Sequence, residues 1–251
     1  MKELTILPGT DKKGQKENFD MISFHLGELW AIVGPTGSGK SRFIKDIEML
    51  VSGDSVTKRH VLIDGQNLAK DEKNMAMESL IAHLGQNMRF ILDLSVGEFL
   101  HFHGEANGKS VIDDEKIIAS ASQISGEPFD LSASLSALSG GQSRALMVAD
   151  IAYLSDRPIV LIDEIENAGI DKTAALELLI RKGKLVFLVT HDPHTALIAD
   201  SRIAIREGAV ISVRKKSKEE NDVFGILDEI YRKEQQLRLK MRKGEELVWR
   251  E

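Results

Sequence analysis

The run Gly34-Pro35-Thr36-Gly37-Ser38-Gly39-Lys40-Ser41 carries the densest chemistry in the chain. Glycines at this spacing let the backbone curl until successive N–H groups face one anion. The lysine and the hydroxyl that follow supply the charge and the cation ligand that a polyphosphate needs. In this reading Lys40 bridges the β- and γ-phosphates, Ser41 ligates Mg²⁺, and the nucleotide contacts continue through Arg42 on the next helix. A second centre, Asp163-Glu164, ends the apolar run Ile159-Val160-Leu161-Ile162. Adjacent carboxylates at a strand end divide the labour: Asp163 orients Mg²⁺ through its water shell, and Glu164 polarises an attacking water.

These groups need elements to aim them. The apolar run 29–33 reads as a strand feeding the glycine loop, and 41–50 reads as the helix leaving it, with Phe43, Ile44, Ile47 and Leu50 on one face. Further strands are expected at 4–7, 22–26, 61–63, 159–162, 185–189, 201–205 and 209–213. Helices are expected at 143–154, 171–182 and 193–199, and the polar stretch 67–82 reads as loop plus helix. Continuous apolar strands alternating with helices argue for an α/β fold whose mostly parallel sheet is covered on both faces. The segment 94–138 reads as a helical insertion. Near the end, 223–243 sets Val223, Ile226, Leu227, Ile230, Tyr231, Leu237 and Met241 along roughly one side, the pattern of an amphipathic helix. We expect it to pack on its own domain and to bury Leu227, Ile230 and Leu237.

Composition narrows the classes. The 251 residues contain no cysteine, which excludes disulfides, thiolate nucleophiles and thiolate-held clusters. A net charge of -6 gives no sign of a nucleic-acid binder. No apolar run reaches the length of a membrane span, and the start has no secretory pattern, so a cytoplasmic location is expected.

Leu138-Ser139-Gly140-Gly141-Gln142, between the two phosphate-directed centres, resembles the signature sequence of ATP-binding cassette (ABC) ATPases. The resemblance covers nearly everything from 22 to 213. It implies a P-loop NTPase fold of ABC type, with a mostly parallel sheet core, an antiparallel edge subdomain and a helical subdomain at about 94–142. Residues 1–213 would be the nucleotide-binding domain and 214–251 a C-terminal amphipathic helical extension. It further implies ATP and Mg²⁺ as cofactors, and a head-to-tail homodimer or heterodimer with a second ABC domain. There Ser139, Gly140, Gly141 and Gln142 would reach the partner's γ-phosphate, and Asp171 would work across the interface. Gln86 looks like the loop glutamine that ligates Mg²⁺ or water, and His191 matches the switch histidine that contacts the γ-phosphate beside Glu164.

Two departures stand out. Ile165 and Glu166 occupy positions where transporters generally carry Pro and Thr. No aromatic residue lies near Thr10 or Asp11 to stack on adenine, which leaves the base to aliphatics such as Ile6 or Leu7 or to loosely specific contacts. Two roles are implied: the ATP-binding motor of a transporter, partnered by a separate membrane permease, or a soluble ATPase remodelling a macromolecule.

Overall fold

The computed structural model describes residues 1–85 and 88–247. A three-stranded antiparallel sheet, in the order β2 (Ile22–His25), β1 (Glu3–Leu7), β4 (His60–Ile63), forms one edge of the molecule. The second sheet has six strands: β5 (Ile81–Leu84), β6 (Ile159–Asp163), β7 (Leu185–Val189), β3 (Leu29–Val33), β8 (Ser201–Arg206) and β9 (Ala209–Lys215). All its pairings are parallel except β8 with β9, which turn on Glu207-Gly208.

The apolar strands are continuous because each faces two cores. On β6, Val160 and Ile162 enter the cluster shared with the helical insertion, whereas Ile159 and Leu161 enter the one shared with the antiparallel sheet. The helix after the glycine loop, α1 (Lys40–Glu48), buries Phe43, Ile44 and Ile47 in the latter cluster. Helix α2 (Lys70–Leu80) leads directly into β5.

The insertion consists of α3 (Val96–Ala106) and α4 (Asp114–Ser125), followed by α5 (Gly140–Tyr153), which returns to the sheet. Every residue of α5 from Ser143 to Ala152 is buried, so this helix is the shaft joining insertion to core. Helices α6 (Lys172–Arg181) and α7 (Pro193–Ile198) follow β6 and β7.

The last helix, α8 (Lys218–Arg242), starts five residues before the expected 223, at a Ser217/Glu220 capping box. It lies on α7 with a face that shares Leu227 and Tyr231 with the expected one but is turned toward Phe224 and Asp228. Tyr231 stacks on His194 with ring centroids 4.6 Å apart and receives the Lys172 ammonium at 4.7 Å, while Asp228 accepts from His194 at 3.2 Å. Burial pushes the Tyr231 phenol up to about 12. Ile230 is corrected: it is 57% exposed, and Leu227 and Leu237 are only half-buried. The surface beneath α8 offers an imidazole and an ammonium, which select an aromatic ring and a carboxylate over an aliphatic stripe.

Candidate nucleotide site

The glycine loop is shaped by its neighbours. Gly34, Gly37 and Gly39 have φ of 149°, 74° and 111°. A Cβ on Gly34 would stand 2.3 Å from the Ile205 carbonyl oxygen, and one on Gly39 would stand 2.9 Å from the Cα of Gly208. The loop is thus pressed against the β8–β9 turn, whose Gly208 N–H donates to the Ser38 carbonyl at 2.7 Å. Pro35, Thr36 and Gly37 are exposed on the outer side, and Ser38 is buried. The Lys40 ammonium arches over the loop and donates to the carbonyls of Gly34 and Pro35 at 2.8 and 3.1 Å.

Ser41 and Asp163 line one cavity of about 270 Å³, together with His83, Glu48 and Lys45. Burial, reinforced by the charges of Glu164 and Glu166, pushes the Asp163 carboxyl above its ordinary value. On the cavity wall His83 Nδ1 lies 3.3 Å from Glu48. Burial works to raise the Glu48 carboxyl, but hydrogen bonds from Lys45 and His83 outweigh it and hold the group low. Arg42 is exposed and faces a different groove, of about 430 Å³, shared with Lys73 and Met77 of α2.

Glu164 departs from β6 with φ 50° and ψ 58°, a left-handed conformation in which a non-glycine residue is strained. Its N–H donates to the Val189 carbonyl at 3.1 Å, so the end of β7 fixes the turn that aims it. His191, two residues beyond β7 and 64% exposed, brings Nδ1 to 3.9 Å from Glu164 and 3.5 Å from Glu166. The structure therefore gathers Ser41, Asp163, Glu164 and His191 around the carboxyl ends of β3, β6 and β7, outside which an α/β sheet binds its ligands. Gln86 lies outside the described residues.

Ser139 and its neighbours sit elsewhere, at the N-terminus of α5. Ser139 Oγ accepts from the Gln142 N–H at 3.2 Å, and Gln142 Oε1 accepts from the Ser139 N–H at 2.9 Å. Ser139 and Gly140 are exposed, and a Cβ on Gly140 would meet nothing within 4 Å. This end of the helix is open to solvent. Asp171 is the N-cap of α6, accepting from Thr173 and Ala174 at 3.0 and 3.1 Å, and its own N–H donates to Ile124 in the insertion.

At the expected adenine side, Ile6 is buried completely in the core and offers no surface to a base; here the aliphatic expectation is corrected for Ile6, which points into the sheet sandwich. The residue that does reach the loop is Lys12, whose ammonium donates to the Gly37 carbonyl at 2.7 Å. Neither Lys12 nor His83 carried a sequence signal, because each is a lone residue whose neighbours in space are distant in the chain.

A glycine loop between β3 and α1, with Asp163 and Glu164 at the end of the parallel strand β6, one strand removed from β3 across β7, defines the class of P-loop nucleotide-binding α/β proteins. Within that class the chain belongs to the ABC transporter family, whose model matches residues 19–167. An uncharacterized ABC transporter ATP-binding protein of Methanocaldococcus jannaschii is 44% identical over 99% of this chain and 95% of its own length. The macrolide export ATP-binding/permease protein MacB of a Shewanella strain is 30% identical over 76% of this chain, which matches only 30% of that protein. Among solved structures, CbiO1 from Clostridium perfringens, part of the ABC transporter complex CbiONQ, superposes with a TM-score of 0.62 over 91% of this chain and 93% of its own, at 21% identity. These likenesses favour the transporter reading over the remodelling one.

Proposed function

We propose that this ATP-binding subunit hydrolyses MgATP by closing head to tail on a second cassette, and that a separate membrane permease uses the closure. The observation that carries the reading is the convergence at the carboxyl ends of the sheet's interior strands: Lys40 over the loop, Ser41 and Asp163 in one cavity, and Glu164 aimed beside His191.

In this mechanism the backbone N–H groups of the glycine loop and the N-terminus of α1 cradle the phosphates, and Lys40 exchanges its two carbonyl partners for phosphate oxygens. Glu164 holds the attacking water, and His191 donates to the γ-phosphate and keeps that water in register. The second subunit's Ser139 and Gly141 add donors at the phosphate that hydrolysis removes, and Asp171 lies along the joint. A divalent cation suits the donor set. Among the described residues no cluster of three or more His, Asp or Glu could hold a metal, which fits a site where Ser41 and Asp163 supply only part of the shell and the nucleotide and water the rest. When bound, Mg²⁺ would neutralise phosphate charge and offset the burial and the neighbouring carboxylates that raise Asp163.

The permease contact is supported by the surface between β5 and α3, where Met88, Leu92 and the 97% exposed Ile91 lie open and Phe102 of α3 is also exposed. Among the described residues no helix is long and apolar enough to cross a membrane, so the spanning part is assigned to the permease.

Replacing Glu164 by Gln should keep ATP binding but lower phosphate release at saturating MgATP by at least ~10²-fold. Light scattering of that variant should show a dimer with ATP, little with ADP, and none with ATP once Ser139→Arg is added. Normal turnover in Glu164→Gln would remove the residue from its role, and a monomer under every condition would sink the self-dimer.

A further inference from the structure

Glu166 stands two residues beyond Glu164, where transporters generally carry Thr, and the mechanism above leaves it without a task. It occupies a short 3-10 turn, Ile165–Ala168, that is pinned in the core by Ile165. The Glu166 side chain is only 12% exposed. One of its oxygens, Oε1, accepts from the Thr190 hydroxyl at 2.7 Å and from the His191 N–H at 3.4 Å, and faces His191 Nδ1 at 3.5 Å. The other, Oε2, is buried with no hydrogen-bond partner.

A carboxylate taken this far out of water for so few bonds is costly to a fold. A neutral Gln in its place would accept from Thr190 with less desolvation. What the carboxylate adds is a charge directed at the switch histidine and at the backbone that carries it. Thr190 is wholly buried, and its hydroxyl in turn accepts from the Asp192 N–H at 3.0 Å. Asp192 caps α7 through Thr195 at 2.9 Å and pairs with Lys172 of α6. Burial opposes ionisation of Asp192, but the hydrogen bonds from Lys172 and Thr195 hold it down at about 2. Residues 190–192 are therefore fixed from both sides, by Glu166 and by the α6–α7 contact.

We propose that Glu166 is a positioning residue for His191. Its Oε1 takes the Nδ1–H of the imidazole and the two donors of the 190–191 backbone and side chain, leaving Nε2 for the γ-phosphate. Glu164, at 3.9 Å from the same Nδ1, then keeps its carboxylate for the water instead of for the ring. The inference rests on the assignment of His191 and Glu164 given above.

The experiment is a double-mutant cycle on the full chain: Glu166→Ala and the near-isosteric Glu166→Gln, each alone and with His191→Ala. Steady-state ATPase is split into kcat and KM, and thermal melting serves as a folding control. Glu166→Ala should lower kcat by about 10-fold or more, the loss usual for a partner that orients another ligand, with KM within about 2-fold. Glu166→Gln, which still accepts from Thr190 but carries no charge, should fall between Ala and wild type. In the His191→Ala background neither change should lower kcat further. Wild-type kcat in Glu166→Ala, or the same fold loss with and without His191, would overturn the positioning role. If His191→Ala alone turns over normally, the switch assignment fails and this inference falls with it; if His191→Ala is crippled and Glu166→Ala is not, only this inference fails.

Discussion

The seat of the glycine loop and the seat of the Ser139 helix end are built by opposite means, although we assign both to γ-phosphates, the loop to its own nucleotide's and the helix end to the partner's. Beneath the loop lies Arg59, which is 0% exposed. Its guanidinium donates to both oxygens of Glu17 at 2.7 and 2.9 Å, to Asp46 of α1 at 3.0 Å and to the Gly208 carbonyl at 2.6 Å, and it lies 5.1 Å from the centre of the Phe43 ring. Glu17 also takes the N–H groups of Gly9 and Val210. One buried cation thus ties the 9–17 loop, α1 and the β8–β9 turn into a single block. The Ser139 end is held otherwise. Its neighbour Glu127 meets Ser139 at 3.4 Å and Arg242 of α8 at 3.3 Å, with both ion partners 41% exposed. Further along α5, Asp150 pairs with the half-buried His103 of α3 at 2.5 Å. A multidentate buried network resists deformation, whereas an exposed pair such as Glu127–Arg242 can open and reform at little cost. The difference suits a machine in which one phosphate cradle stays fixed and the other must arrive.

Arg59→Met should separate the two regions most sharply. It strands two buried carboxylates, and urea denaturation should show a loss of about 3–5 kcal/mol. A loss no larger than that of a surface pair would break the contrast. The His103–Asp150 contact should give a smaller and pH-dependent effect. The hydrogen bond to Asp150 outweighs burial and raises the imidazole above its ordinary 6.5, so its stabilisation is complete below 6.5 and disappears as the pH climbs through the raised folded value. The stability gap between wild type and His103→Asn, followed by thermal melting, should therefore narrow as the pH rises. A gap that widened on that side would reverse the sign. Smallest of all, Arg242→Ala should cost under about 1 kcal/mol globally. Its signature should be local: faster amide exchange between Glu127 and Ser139, with the glycine loop unaffected.

The same contrast explains what could be read from the sequence. The loop 34–41 and the pair Asp163-Glu164 were legible because their chemistry needs contiguous residues after a strand. Strand β5 was missed because Ile81–Leu84 is only four residues long, carries His83 inside it and follows α2 without a break. The Arg59 network left no trace because its partners lie 42, 13 and 149 positions away. On α8, apolar residues lie on overlapping stripes, one through Val223, Ile226 and Ile230 and one through Phe224, Leu227 and Tyr231. The imidazole of His194 and the ammonium groups of Lys172 and Lys216 decide between them. Glu166 was visible as a departure, but its meaning needed Thr190 and His191 beside it.

The left-handed turn at Glu164 sets activity and comfort against each other at a single position. Residues at ease with φ near 50° are Gly and, less so, Asn and Asp; glutamate holds the conformation at a cost of about 1–3 kcal/mol. Each relaxed alternative removes the acid or shortens its reach. A stabilising redesign guided by backbone preference alone would choose glycine here, relieve the strain, and erase the carboxylate. Thermostability scores and turnover should therefore rank variants at this site in opposite orders.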